Sequence, residues 1–100
     1  MSESATPPIA RAGMTIALGA ESSITIKATS TDTSGAYALM EYVAGPGAGS
    51  GFHTHRREDE AFYVLSGTLQ FVLDHDTFIA QPGDYVHIPK GTRHTFQNPS

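Results

Sequence analysis

Residues 47–67 read GAGSGFHTHRREDEAFYVLSG, and this stretch decides more about the fold than any other part of the chain. Its chemistry-bearing positions are His53, His55 and Glu60, framed by glycines as Gly47-x5-His53-x-His55-x4-Glu60-x6-Gly67. Side chains of an extended strand alternate between faces, so two histidines two positions apart leave the same side. Glu60 follows a stretch short enough to be a turn. It opens the strand-like run Ala61-Phe62-Tyr63-Val64-Leu65. A second cluster, GDYVHIPKGTRHTFQN over residues 83–98, reads Gly83-x5-Pro89-x-Gly91-x2-His94-x3-Asn98. His94 belongs to a separate strand. A histidine pair from one strand, a carboxylate from the next and a third histidine from another form a mixed nitrogen and oxygen donor set for a divalent metal.

Outward from these clusters the chain keeps an all-β rhythm, with short apolar runs punctuated by turn residues. Ser23-Ile24-Thr25-Ile26-Lys27 alternates cleanly, and Ala36 to Val43 reads as a strand entered through the turn Thr31–Gly35. Gly45 to Gly51 is too rich in glycine for a strand interior and reads as a loop leading to a His53/His55 strand. Ser66-Gly67 is expected to turn Ala61–Leu65 into Thr68–Leu73 as a hairpin. Further turns are expected at Asp74–Asp76, at Gln81–Asp84 before Tyr85–Ile88, and at Pro89–Gly91 before the His94 strand. Residues 1–12, with Pro7-Pro8, read as a flexible leader and residues 13–100 as one domain. No stretch shows sustained helical periodicity or an internal repeat.

Composition narrows the function classes. A net charge of −4 and a pI near 5.6 argue against nucleic acid, which calls for a basic stripe. The chain has no cysteine, so disulfides and thiolate ligation are unavailable. It shows no signal-peptide pattern and no apolar run of membrane-spanning length, which makes the cytoplasm the expected location and a membrane partner unexpected.

The two glycine-framed clusters resemble the two sequence motifs of the cupin superfamily, over about Gly45 to Asn98. The resemblance implies a small antiparallel jelly-roll β-barrel with His53, His55, Glu60 and His94 as metal ligands. Neutral imidazole and carboxylate suit Mn, Fe, Co, Ni, Cu or Zn. A His-x-His pair alone is commonplace on exposed strands; Glu60 and His94 in register turn it into a donor set. His75 is expected to be exposed in its turn, and His87, with Tyr85, is a minor pocket candidate. Arg56 and Arg57 are read as a solvated turn, Asn98 as a structural hydrogen-bonder, and Phe62, Val64, Phe71, Phe96 and Met40 as core.

Cupin barrels generally continue past the asparagine of the second motif, whereas here Asn98 is followed by two residues. An unpaired edge beside the His94 strand, or a partner strand from the N-terminal part of this or another subunit, is therefore expected. The resemblance further implies a metal-dependent oxidoreductase of dioxygenase type on a small oxygen-rich or aromatic compound, with Glu60 as a base. The alternatives are a metal-dependent isomerase, lyase or decarboxylase on a sugar or oxo acid, and a non-catalytic binding or sensing barrel. A homodimer formed through strands near Ile24 and Ile26 is expected.

Overall fold

A computed structural model describes residues 13–19 and 21–100; the leader expected over residues 1–12 lies outside them. Among the described residues every regular element is a strand, and every strand pairing is antiparallel. Eight strands follow in chain order: β1 (Met14–Ala17), β2 (Ser23–Ala28), β3 (Leu39–Val43), β4 (Glu60–Tyr63), β5 (Leu69–Leu73), β6 (Asp76–Ala80), β7 (Tyr85–Ile88) and β8 (His94–Gln97). They fall into two compact units, Met1–Val43 and Ala44–Ser100. Among the described residues no helix is long and apolar enough to cross a membrane.

The N-terminal unit is a meander, β1-β2-β3. β2 is the alternating segment read from the sequence. β1 escaped that reading, being four residues long; its Thr15 hydroxyl meets that of Thr25 at 2.9 Å across the pair. β3 starts at Leu39 rather than at Ala36. The preceding backbone is engaged in the turn, with Gly35 N–H on Ser30 O at 2.7 Å and Tyr37 N–H on Thr33 Oγ1 at 2.9 Å. Met40, expected in the core, is 53% exposed.

In the C-terminal unit β4 pairs with β7, and β5 lies between β6 and β8. The hairpin expected across Ser66-Gly67 does not form. Val64 N–H donates to Asp84 O (3.0 Å) and Gly83 N–H to Val64 O (2.9 Å), extending the β4–β7 pairing to the end of β4. Ser66-Gly67 thus carries the chain from one sheet to the other. The hairpin is β5–β6 instead, closed by Asp74-His75 with Asp74 in the left-handed region (φ 54°) and His75 exposed as expected.

The core of this unit is Val64, Phe71, Ala80, Ile88 and Phe96, with half-buried Phe62 beside them. Rings of Phe62, Phe71 and Phe96 lie with centroids 5.0, 5.0 and 6.1 Å apart, the spacing of favourable aromatic contacts. Directly paired residues share a sheet face. The register pairs Glu60 with Ile88, Phe62 with Val86, Phe71 with Phe96 and Leu73 with His94. Glu60 and His94 therefore project on the same inward faces as the phenylalanines.

The edge of β8 away from β5, expected to be bare or covered by an N-terminal strand, is occupied by a segment of this same unit. The glycine-rich segment runs antiparallel along it: Ser50 N–H reaches Phe96 O (3.0 Å), Asn98 N–H reaches Ala48 O (2.8 Å) and Gly47 N–H reaches Asn98 O (3.0 Å). A Cβ on Gly49 would overlap the Phe96 carbonyl oxygen, so only glycine permits the approach. The stretch read as a loop therefore does the pairing. Asn98 adds a side-chain bond from Nδ2 to Ala44 O (2.8 Å), which is the structural role expected of it.

Candidate metal centre

His53 and His55 are not on a regular strand. His53 forms an isolated antiparallel bridge with His94, through His53 N–H to His94 O (3.0 Å) and His94 N–H to His53 O (2.9 Å). His55 holds the chain two residues on, its carbonyl accepting from Gly91 N–H at 2.7 Å. Strand pairing stops there because the chain turns through Arg56–Asp59 to enter β4. Two residues of extended geometry suffice to put both rings on one side, with centroids 5.0 Å apart. His94 lies 4.2 Å from His53 and 5.6 Å from His55 by the same measure.

The four residues named from the sequence come together. One ligand atom each from His53, His55, Glu60 and His94 lies within 4.8 Å of all the others. His94 is fully buried, and the side chains of His55 and Glu60 are about one-third exposed, so the cluster has a closed side and an accessible one.

Each imidazole is held by its other nitrogen. Nδ1 of His53 faces the Gly51 carbonyl at 2.9 Å and Nδ1 of His94 faces the Thr92 carbonyl at 2.9 Å. Carbonyl oxygen can only accept, so in both rings Nδ1 carries the hydrogen and the Nε2 lone pair is left for another partner. Nδ1 of His55 meets the Glu58 carboxylate at 3.0 Å, with the same consequence. Anchored Nδ1 atoms of this kind fix the tautomer and aim of metal-binding histidines.

The donor chemistry fits a divalent cation. Nε2 of His94 stands 2.9 Å from Glu60 Oε1, and Nε2 of His55 stands 3.7 Å from the same oxygen. With Nδ1 of His94 protonated, a lone pair on Nε2 faces a carboxylate oxygen, and that contact calls for a proton or a cation between them. Ligands about 2.1 Å from one metal ion stand roughly 3.0 Å apart at right angles, 3.4 Å in a tetrahedron and 4.2 Å when opposed. The 2.9 and 3.7 Å spacings lie close to that range, and the 4.8 Å that bounds the whole set lies about 0.6 Å above it, so the donors would draw together around an ion.

The two minor pocket candidates face elsewhere. His87 pairs with Ala61 and Tyr85 with Tyr63 on the outer face of β4–β7, because inward and outward positions alternate and Val86 and Ile88 take the inward ones. Nε2 of His87 contacts Asp59 Oδ2 at 3.1 Å. The Lys90 backbone N–H and, second, the His87 ring hold the Asp59 carboxyl below its usual value of 3.8. Arg56 and Arg57 are exposed, as expected of a solvated turn. Sequence reasoning missed Glu58 and Asp59 as partners of the site. Only their place between two ligands could have signalled the role.

Comparison with known proteins agrees with this geometry. The cupin domain family profile matches residues 40–100. Quercetin 2,3-dioxygenase of Bacillus subtilis is 30% identical over 73 residues, which is 73% of this chain and 22% of that protein. The chain thus spans about a fifth of the length of that dioxygenase. Among solved structures, an RmlC-like cupin from Shewanella frigidimarina superposes with a TM-score of 0.69 at 16% identity, covering 88% of this chain and 75% of that one. KdgF from Halomonas gives 0.66 at 24% identity, covering 85% and 74%. The small antiparallel jelly-roll fold expected from the sequence is the fold of these neighbours. With the family profile spanning both glycine-framed motifs, the chain belongs to the cupin family.

Proposed function

We propose that this cupin is a metal-dependent oxidoreductase of the dioxygenase type, acting on a small oxygen-rich or aromatic compound. The observation that carries the reading is the convergence of three Nδ1-anchored imidazoles and one carboxylate on a space of metal-shell dimensions. In this reading His53, His55, Glu60 and His94 hold a divalent ion drawn from Mn, Fe, Ni, Co, Cu and Zn. When bound, such an ion supplies Lewis acidity toward substrate oxygens and, if redox-active, a path for electrons to dioxygen.

The residues of the chain do the rest. Glu60 brings the one negative charge to the donor set, and its carboxylate is the base that takes a proton from an enol or hydroxyl of the substrate. The rings of Phe62, Phe71 and Phe96 pack on one another on the same inward faces as Glu60 and His94 and exclude water there. The likeness to a quercetin 2,3-dioxygenase supports oxygen-dependent chemistry over the isomerase, lyase and binding alternatives. A cytoplasmic homodimer is part of the same proposal.

The test is oxygen uptake by the Fe, Mn, Ni and Cu forms with enediol, flavonol and dicarbonyl compounds. Glu60→Gln keeps a ligating oxygen and removes the charge and most of the basicity, so turnover should fall further than metal content. A Glu60→Gln protein as active as wild type makes Glu60 a passive ligand. No uptake in any metal form, alongside isomerisation, decarboxylation or plain binding, refutes the oxidoreductase reading.

A further inference from the structure

The turn that follows β7, Pro89 to Thr92, touches two of the four residues of the metal centre and the chain neighbour of a third, without presenting a ligand of its own. Gly91 N–H donates to the His55 carbonyl at 2.7 Å. The Thr92 carbonyl takes the Nδ1 hydrogen of His94 at 2.9 Å. Lys90 N–H donates to Asp59 Oδ1 at 2.9 Å, and Asp59 immediately precedes Glu60. The turn has a defined shape: Thr92 N–H closes on Pro89 O at 3.2 Å, and Gly91 takes φ +86°, a conformation open mainly to glycine.

Asp59 uses both carboxylate oxygens here. Oδ1 holds the turn through Lys90 N–H, and Oδ2 holds β7 through the His87 ring at 3.1 Å. About half of each side chain is exposed (55% for Asp59 and 47% for His87), and both lie on the outer face, so neither can reach a metal inside. An exposed pair of this kind adds little to folding stability. Its geometric effect is larger, because it joins the start of β4, which carries Glu60, to the turn that aims His94 and anchors His55.

We propose that Asp59 is a positioning residue of the metal centre, setting the separation of Glu60 from His55 and His94 by clamping the Pro89–Thr92 turn to the start of β4. The inference rests on the reading of these four residues as a metal site. Partners outside the ligand shell that orient ligands typically change metal affinity by about 10- to 100-fold when removed.

The experiment uses Co(II), whose visible absorption reports ligand geometry, with affinity measured by chelator competition on the full chain. Asp59→Ala removes both clamps and should weaken Co(II) about 10- to 100-fold and shift the visible bands. Asp59→Asn can still accept from Lys90 N–H through Oδ1 and, with the His87 hydrogen moved to Nδ1, donate from Nδ2 to His87 Nε2, so it should retain the wild-type affinity and bands. Asp59→Glu keeps the charge but lengthens the arm by one carbon–carbon bond, about 1.5 Å, and should resemble Asp59→Ala. Should Asp59→Ala fail to fold, the Asn and Glu variants decide the matter.

Wild-type affinity and bands in Asp59→Ala or Asp59→Glu overturn the proposal. So does an Asn variant as impaired as the others, since the role assigned is hydrogen-bond geometry rather than charge. A wild-type protein that takes up no Co(II), or a His94→Ala control that binds it with unchanged bands, refutes the metal centre itself. That outcome is distinct from a failure of Asp59 alone.

Discussion

Substituting Gly49 by alanine tests whether the glycine-rich segment is a working strand partner of β8. A Cβ there would overlap the Phe96 carbonyl oxygen and stand 2.8 Å from Gln97 Cα and 3.0 Å from the Phe96 carbonyl carbon. Non-bonded carbons rest at roughly 3.5–4.0 Å, so the segment has to retreat by about 1 Å. That movement stretches Ser50 N–H···Phe96 O from 3.0 Å and Asn98 N–H···Ala48 O from 2.8 Å beyond hydrogen-bond range. Each bond contributes about 1 kcal/mol, so with the lost packing Gly49→Ala should cost about 2–3 kcal/mol. For a chain of this size that lowers the melting temperature by roughly 8–24 °C.

Gly51→Ala is the matched control. Its Cβ would meet nothing within 4 Å and its φ is not positive, so the change should stay within about 0.5 kcal/mol. Thermal melts followed by circular dichroism on both apo-proteins give the comparison. Melting of Gly49→Ala within about 3 °C of Gly51→Ala would refute the pairing argument.

Two further outcomes are expected, one from the structure around Asp59 and one from the proposed homodimer. Hydrogen bonds hold the Asp59 carboxyl below its usual 3.8, so its contribution to folding is complete above that value and is lost as the pH falls through the lowered folded value. Because the pair is exposed this contribution is small, so Asp59→Asn should flatten only a small part of the acid decline in the melting temperature of the apo-protein. Light scattering at micromolar concentration should return the mass of the proposed homodimer; a monomeric mass contradicts that assembly. Because β2 is already paired with both β1 and β3, contacts near Ile24 and Ile26 would be made by a sheet face rather than by strand pairing.

The donor set was legible because it depends on local spacing. His53 and His55 need only two residues of extended backbone to share a side, and Glu60 needs only to begin the next strand. Pairing partners were less legible. Ser66-Gly67 looks like a hairpin turn, but whether β4 folds back on β5 or passes to β7 depends on hydrogen bonds such as that of Val64 with Asp84, between residues distant in the chain. The edge beside His94 was misread because glycine richness usually marks a loop. Here the missing Cβ of Gly49 is what lets two backbones meet. Glu58 and Asp59 gave no signal because charged residues in a turn resemble any solvated surface, and His87, read as a minor pocket candidate, is instead an outer-face partner of Asp59. Their roles lie in the atoms they hold: Nδ1 of His55 for Glu58, the Lys90 N–H for Asp59, and the Asp59 carboxylate for His87.

In the proposed site His53, His55, Glu60 and His94 bind one divalent ion together. Elemental analysis of the purified protein, followed by X-ray absorption at the edge of the metal found, tests it most directly. One equivalent of a divalent transition metal is expected, with three imidazole nitrogens and a carboxylate oxygen at about 2.0–2.3 Å. The metal should be lost in His94→Ala and released on acidification to about pH 5, since each imidazole ligates in its neutral form. A protein that binds no such metal under saturating conditions, or one whose bound metal shows fewer than three imidazoles and survives His94→Ala, would contradict it.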